Sequence, residues 1–161
     1  MTRIGLISDT HLRNLPESMT RRLAEAWAGV SQIWHAGDVI GPGVINDLIG
    51  LGLGPVFAVA GNMDGLPLAQ ELPRKIQMTV AGKKFGLIHG WGSPVGLPTR
   101  VKEEFPGADG VVFGHSHRPT NIVKEGVHLL NPGSATRNIM GRATVAVLTV
   151  EEEISLEIIK L

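Results

Sequence analysis

Aspartate, asparagine and histidine recur along this chain in four short runs of fixed order: Asp9-Thr10-His11, Gly37-Asp38, Gly61-Asn62 and Gly114-His115-Ser116-His117. His89 falls before the last run, so the set offers seven oxygen and imidazole donors: Asp9, His11, Asp38, Asn62, His89, His115 and His117. Donors of these types bind hard and borderline divalent cations, and the set is large enough to hold two. A carboxylate such as Asp38 can bridge two cations through its separate oxygens, at a metal spacing of roughly 3.5–4 Å. Two adjacent cations lower the pKa of a shared water and draw in phosphate oxygens, which makes phosphoester hydrolysis the chemistry such a set could support. Each residue alone has a plainer explanation, because Asp and Asn favour helix starts and turns, and a lone buried His is usually hydrogen-bonded structure. The joint, ordered occurrence is what argues for metal.

The local spacing has a physical logic. In an extended segment, residues i and i+2 project to the same side, so Asp9 with His11 and His115 with His117 would each aim two groups at one place. Gly37, Gly61 and Gly114 each precede a candidate donor, where a missing side chain lets the backbone turn and come close.

The elements that must position these groups are legible as short apolar runs divided by turns. Strands are predicted over 3–8, 31–35 and 56–60, alternating with helices over about 17–28, with Leu23, Ala26 and Trp27 inward, and 42–51, with Pro near its start and Gly52 beyond its end. This β-α-β-α-β opening predicts parallel pairing with right-handed crossovers. After Pro73 the style changes: hairpins over 76–80/83–88 and 121–124/127–130, a short helix at 99–105, a buried strand at 110–113, and strands over 143–150 and 154–159. The expectation is one α/β domain spanning 1–161, a parallel half followed by a mixed or antiparallel half. Asp9, Asp38, Asn62, His89 and His115 then all stand at strand ends, where open α/β sheets bind ligands.

Composition sets the bounds. At 161 residues with 43% hydrophobic and 19% charged, the chain is an ordinary globular one, and its formal net charge of zero announces no nucleic-acid groove and no anionic membrane. It has no cysteine, which excludes disulfides, a thiolate nucleophile and thiolate zinc, and leaves cytoplasm as the expected location. No apolar run approaches the roughly 20 residues of a membrane helix, and Asp9 interrupts any signal-peptide core.

Ser8-Asp9-Thr10-His11, Gly37-Asp38, Gly61-Asn62-Met63-Asp64, His89-Gly90, Gly114-His115-Ser116-His117 and Asn131-Pro132-Gly133-Ser134 together resemble the ordered signature of the calcineurin-like metallophosphoesterases. The Gly-Asn-x-Asp form and small size are similar to the compact phosphodiesterases of the YfcE type. This resemblance, over about residues 1–137, implies a four-layer α/β/β/α sandwich of two mixed β-sheets flanked by helices. It also implies two divalent metal ions, Mn²⁺ foremost, with Ni, Fe, Zn or Co as alternatives. Asp9, His11, Asp38 and His117 would hold one ion and Asp38, Asn62, His89 and His115 the other, with Asp38 shared. Asp38, Asn62 and His89 then stand at the catalytic centre of a metallophosphodiesterase acting on a small phosphoester.

One departure has chemical weight. Where many members of the wider family carry a His thought to protonate the leaving oxygen, this chain has Met63, and a thioether is no general acid. Phosphodiesters or activated aryl esters are therefore the expected substrates. Asp64 loses its usual His partner and is expected to form a turn with Gly65. His35 and His128 are expected to be structural. Arg13, Ser134 and Arg137 are candidates for contact with substrate phosphate, Arg137 for its planar donor pair. Two other readings remain: a Vps29-like protein-binding scaffold on the same fold, and a nucleotidase or cyclic-nucleotide phosphodiesterase, which three Trp, four Phe and no Tyr equip poorly for base stacking. Exposed strands toward the C-terminus offer a surface for homo-oligomer formation.

Overall fold

A computed structural model describes residues 1–136 and 141–161. The chain runs β1 (Thr2–Ile7), α1 (Glu17–Ala26), β2 (Gln32–His35), α2 (Pro42–Gly50), β3 (Val56–Ala58), α3 (Leu68–Glu71), β4 (Lys75–Val80), β5 (Lys83–Ile88), α4 (Leu97–Glu103), β6 (Gly110–Phe113), β7 (Thr120–Lys124), β8 (Val127–Asn131), β9 (Thr144–Val150) and β10 (Ile154–Lys160). Two five-stranded sheets result, ordered β10-β9-β1-β2-β3 and β4-β5-β6-β8-β7.

Both sheets are mixed, and their parallel centres do the positioning. β1, β2 and β3 pair in parallel, as do β5, β6 and β8, so six strands point their carboxyl ends toward one rim. The expected parallel opening, followed by a mixed or antiparallel half, is found, and the β9–β10 hairpin returns to the first sheet, where β9 runs antiparallel to β1. The second sheet has its own parallel core, closed by antiparallel β4 and β7. Sequence patterning cannot show which sheet a late hairpin joins, because both offer an open apolar edge.

Alternation along each strand creates the four layers. Ile4, Leu6, Trp34, Phe85, Leu87, Val112, Leu130, Ala146 and Leu148 fill the space between the sheets. Ile7, Ile33, Val145 and Val147 face the other way, against Leu23, Trp27, Val44 and Leu48 of the α1 and α2 side. On the far face of the second sheet, Ile88, Val111, Phe113 and Leu129 pack on Leu97, Val101 and Phe105 of the α4 side. The short α3 was not expected, and α4 begins at Leu97 rather than 99 because Pro98 sits in its first turn, where a missing N–H costs nothing. Among the described residues, no helix is long and apolar enough to cross a membrane.

Trp27 shows how tightly the first sheet takes its helix. Its indole is fully buried, donates from Nε1 to Ala146 O at 3.1 Å, and lies so close under β1 that a Cβ at Gly5 would stand 2.7 Å from its ring. Gly5→Ala is therefore expected to cost about 1–3 kcal/mol by overpacking, read as a lower urea midpoint with an unchanged slope.

Candidate metal centre

Five of the seven candidate donors do not sit in extended backbone. Asp9, His11, Asp38, His115 and His117 all have positive φ, between 49° and 66°, a region that L-residues seldom occupy. The expectation of i, i+2 pairs projecting from strand-like segments is thus corrected. The loops after β1, β2 and β6 instead coil sharply beyond the last strand residue, pinned by Asp9 N–H to Gly37 O at 3.0 Å and His11 N–H to Asp38 O at 3.1 Å. The two histidines of the β6 loop diverge: His117 turns toward Asp9 and His11, and His115 toward Asn62.

Glycines let the two sheets meet here. A Cβ at Gly114 would stand 2.0 Å from Ser8 Oγ and 2.9 Å from Asp9 Oδ2, and one at Gly61 would stand 2.2 Å from Asp38 Oδ1. At Gly37 it would strike the His89 ring at 2.7 Å. Close approach, more than chain reversal, is what these positions require.

Each carboxylate has one oxygen tied down and one left toward the centre. Asp9 Oδ2 accepts from Ser8 Oγ at 2.5 Å and from His115 N–H at 3.1 Å. Its Oδ1 is buried and accepts no well-directed hydrogen bond among the described residues, although His117 Nε2 stands 3.1 Å away. Asp38 Oδ1 accepts from Met63 N–H at 2.8 Å, and its Oδ2 lies 3.7 Å from His11 Nε2 and 3.4 Å from His89 Nε2. Donor atoms of Asp9, His11, Asp38 and His117 all fall within 4.8 Å of one another. A buried orphan carboxylate oxygen amid imidazole nitrogens is a donor set that suits a divalent cation.

A second group abuts the first. Asn62 Oδ1 stands 3.1 Å from His89 Nε2 and 3.0 Å from His115 Nδ1. His89 Nδ1 lies 2.7 Å from Ala36 O and His115 Nε2 lies 2.8 Å from Gly92 O, so each ring donates its proton to a backbone carbonyl and turns the other nitrogen inward.

The field of this pocket favours positive charge. Burial alone would push Asp38 up, yet the hydrogen bond and charge of His89, with the Met63 N–H, hold its carboxyl below the usual range. Burial would lower His89, but its pairing with Asp38 and the charge of Asp9 raise it, and the close Asp9 carboxylate does the same for His117. A divalent cation answers the same field without a proton.

Residues around this centre brace it. His35 is fully buried: Nδ1 accepts from Gly37 N–H and Nε2 meets Thr10 Oγ1, each at 3.1 Å, and Thr10 in turn reaches the carbonyls of Asp38 and Val39. Asp64 does more than form a local turn. It accepts from Ile40 N–H at 2.6 Å and Gly61 N–H at 2.8 Å, tying the loop of Asp38 to the loop of Asn62. Asn131 holds Gly114 O and Ser116 Oγ, anchoring the loop of His115 and His117.

The expected substrate contacts fare differently. Ser134 is fully buried and donates to Asp9 O at 2.8 Å, so its hydroxyl braces the Asp9 loop and is not presented to substrate. Thr136, which sequence reasoning passed over, meets the carbonyls of Asp9 and Thr10 from the same segment. The Arg13 side chain is exposed, and Arg137 lies outside the described residues. His128 pairs in register with Gly110 at the start of β6, the end of the sheet away from the rim.

Comparison with known proteins shows the family. The family model for the calcineurin-like phosphoesterase superfamily domain matches residues 2–153. The chain is 35% identical to a probable metallophosphoesterase of Methanothermobacter thermautotrophicus, covering 98% of this chain and 91% of that protein. A solved archaeal phosphodiesterase superposes with a TM-score of 0.81 at 25% identity, over 99% of this chain and 100% of that one. Zinc-bound Vps29 of Entamoeba histolytica shares the fold, with a TM-score of 0.73 at 20% identity over 99% of both chains. The chain belongs to the calcineurin-like phosphoesterase superfamily, a family of metal-dependent phosphoesterases.

Burial pushes the His35 imidazole down to about 4 from 6.5, against the raising charge of Asp9. The folded state thus binds this proton less readily than the unfolded one, so the stability it confers is complete above pH 6.5 and is lost as pH falls toward 4. In metal-free protein, His35→Gln should flatten the pH dependence of unfolding free energy across that window, by on the order of 3 kcal/mol. An unchanged slope in denaturant titrations at several pH values would refute the assignment.

Proposed function

We propose that this protein is a metal-dependent phosphodiesterase that uses two divalent cations, with Mn²⁺ supporting activity. The observation that carries the reading is the position of Asp38 Oδ2 between His11 and His89, one imidazole from each of two adjoining donor groups. Asp9, His11, Asp38 and His117 would hold one ion; Asp38, Asn62, His89 and His115 would hold the other. When bound, such ions supply Lewis acidity toward a phosphate oxygen and acidify water at neutral pH.

The chain's own residues supply orientation. Ala36 O and Gly92 O fix the ring tautomers of His89 and His115, and Met63 N–H fixes one oxygen of Asp38, which would leave the carboxylate oriented to be shared. At position 63 the thioether is 58% exposed and carries no transferable proton. A leaving alkoxide receives no proton from it, which favours diesters and aryl esters over alkyl monoesters. The likeness to Vps29 is one of fold, and the complete donor set distinguishes an enzyme from a scaffold as the better reading here.

Asp38→Asn is expected to lose hydrolysis of bis(p-nitrophenyl) phosphate and to release metal on dialysis, measured by elemental analysis. Full turnover in that variant refutes the shared-donor role, and wild-type protein with neither metal nor turnover favours the scaffold. Met63→His should raise the monoester-to-diester ratio of kcat/KM by about tenfold or more, general acids being worth roughly 10²–10⁴ in rate. An unchanged ratio would remove Met63 as the cause of preference.

A further inference from the structure

A cleft of about 590 Å³ opens directly from the candidate donors Asn62 and His89. Ala60, Gly61 and Asp64 line it from the loop after β3, Gly90 and Trp91 from the loop after β5, and Arg74, Lys75 and Glu104 from farther along. A phosphorus atom held at the metal centre would leave one of its two ester arms in this space.

Two side chains in the cleft, Trp91 and Arg74, make no side-chain hydrogen bond or ion pair among the described residues. Trp27, Trp34, Phe85, Phe105 and Phe113 are buried in the core, whereas Trp91 is 44% exposed and faces the cleft. Its loop is not slack: the Arg100 guanidinium from α4 donates to the carbonyls of Trp91 and Val95, each at 2.9 Å, and to that of Ser93. The same loop supplies Gly92 O to His115, so the backbone that carries the indole is tied to the metal centre.

The charges differ in kind. Lys75 Nζ is answered by Glu104 Oε2 at 2.8 Å and lies over the Phe105 ring. Asp64 is committed to backbone N–H groups. Arg74 is exposed, lines the cleft and makes no hydrogen bond or ion pair among the described residues. Its backbone is nonetheless placed, because Pro73 O accepts from Ala60 N–H at 2.9 Å.

We infer that this cleft selects a phosphodiester in which one ester arm carries a planar ring and a second negative charge, as a phosphorylated nucleoside does. Trp91 stacks on the ring and Arg74 pairs with the added anion. The inference rests on the phosphodiesterase reading above and names its substrate class. Hydrolysis adds one water across a P–O ester bond and yields a phosphomonoester and an alcohol, with the ring-bearing arm departing on whichever fragment retains it. The scarcity of aromatics in the sequence is no obstacle, since one exposed and braced indole suffices.

The test uses the Mn²⁺-loaded full chain and three diesters: methyl p-nitrophenyl phosphate, a deoxyadenosine dinucleotide, and the same dinucleotide bearing a 5′-phosphate. In wild type the 5′-phosphate should lower KM by about tenfold, and Arg74→Gln should erase that difference while leaving the unphosphorylated dinucleotide unaffected. Trp91→Ala should raise KM for both dinucleotides by about tenfold or more relative to methyl p-nitrophenyl phosphate, and Trp91→Phe should restore most of the loss. Binding of adenosine 3′,5′-bisphosphate should quench tryptophan fluorescence in wild type and not in Trp91→Phe, which reports stacking independently of turnover. No 5′-phosphate effect, or one that survives Arg74→Gln, overturns the inference while turnover of the small diester upholds the parent reading. Failure to hydrolyse even methyl p-nitrophenyl phosphate overturns both.

Discussion

Two carboxylates almost without access to water, Asp9 at 0% and Asp38 at 2% exposure, face one another's surroundings where the two sheets meet. Ionised groups so placed are expensive, with an effective cost of several kcal/mol each unless charge of the opposite sign and hydrogen bonds answer them. Among the described residues no Lys or Arg nitrogen does so; the answering groups are the imidazoles of His11, His89 and His117. Imidazole can give up its proton to accept a metal in its place, which a guanidinium cannot. The pocket is therefore built for exchangeable positive charge, and the surrounding hydrogen bonds decide which oxygen of each carboxylate meets it.

Holding that arrangement demands unusual backbone. Five of the candidate donors occupy left-handed conformations, and such residues persist only where neighbouring structure over-determines them. The neighbours are identifiable: Asp64 spans the loops of Asp38 and Asn62, Asn131 grips the loop of His115 and His117, and Ser134 and Thr136 hold the carbonyl of Asp9. The sandwich thus contributes more than a platform, because residues from both sheets constrain loops that neither sheet alone could hold.

Much of the fold was legible in the sequence. Strand and helix positions followed from apolar period and from turns such as Ala81-Gly82 and Glu125-Gly126, whose positive φ values suit tight hairpins. The candidate donors were visible because metal chemistry restricts residue type, and the glycine before Asp38, Asn62 and His115 signalled close approach. What sequence could not show depends on third-party contacts. The sheet joined by β9 and β10, the burial of Ser134 and the bridging by Asp64 all involve partners far along the chain. Asp9 with His11, and His115 with His117, lie in coiled loops with positive φ, where i and i+2 side chains do not project together as they would from extended backbone.

The strand that delivers Asp9 is flanked on one side by β2 and on the other by β9, with Thr2 opposite Val150. The second edge of β1 stays open until β9, far later along the chain, has been synthesised. Pairings of such high contact order form late and slowly. The rim that carries Asp9 is consequently complete only once β9 has paired with β1.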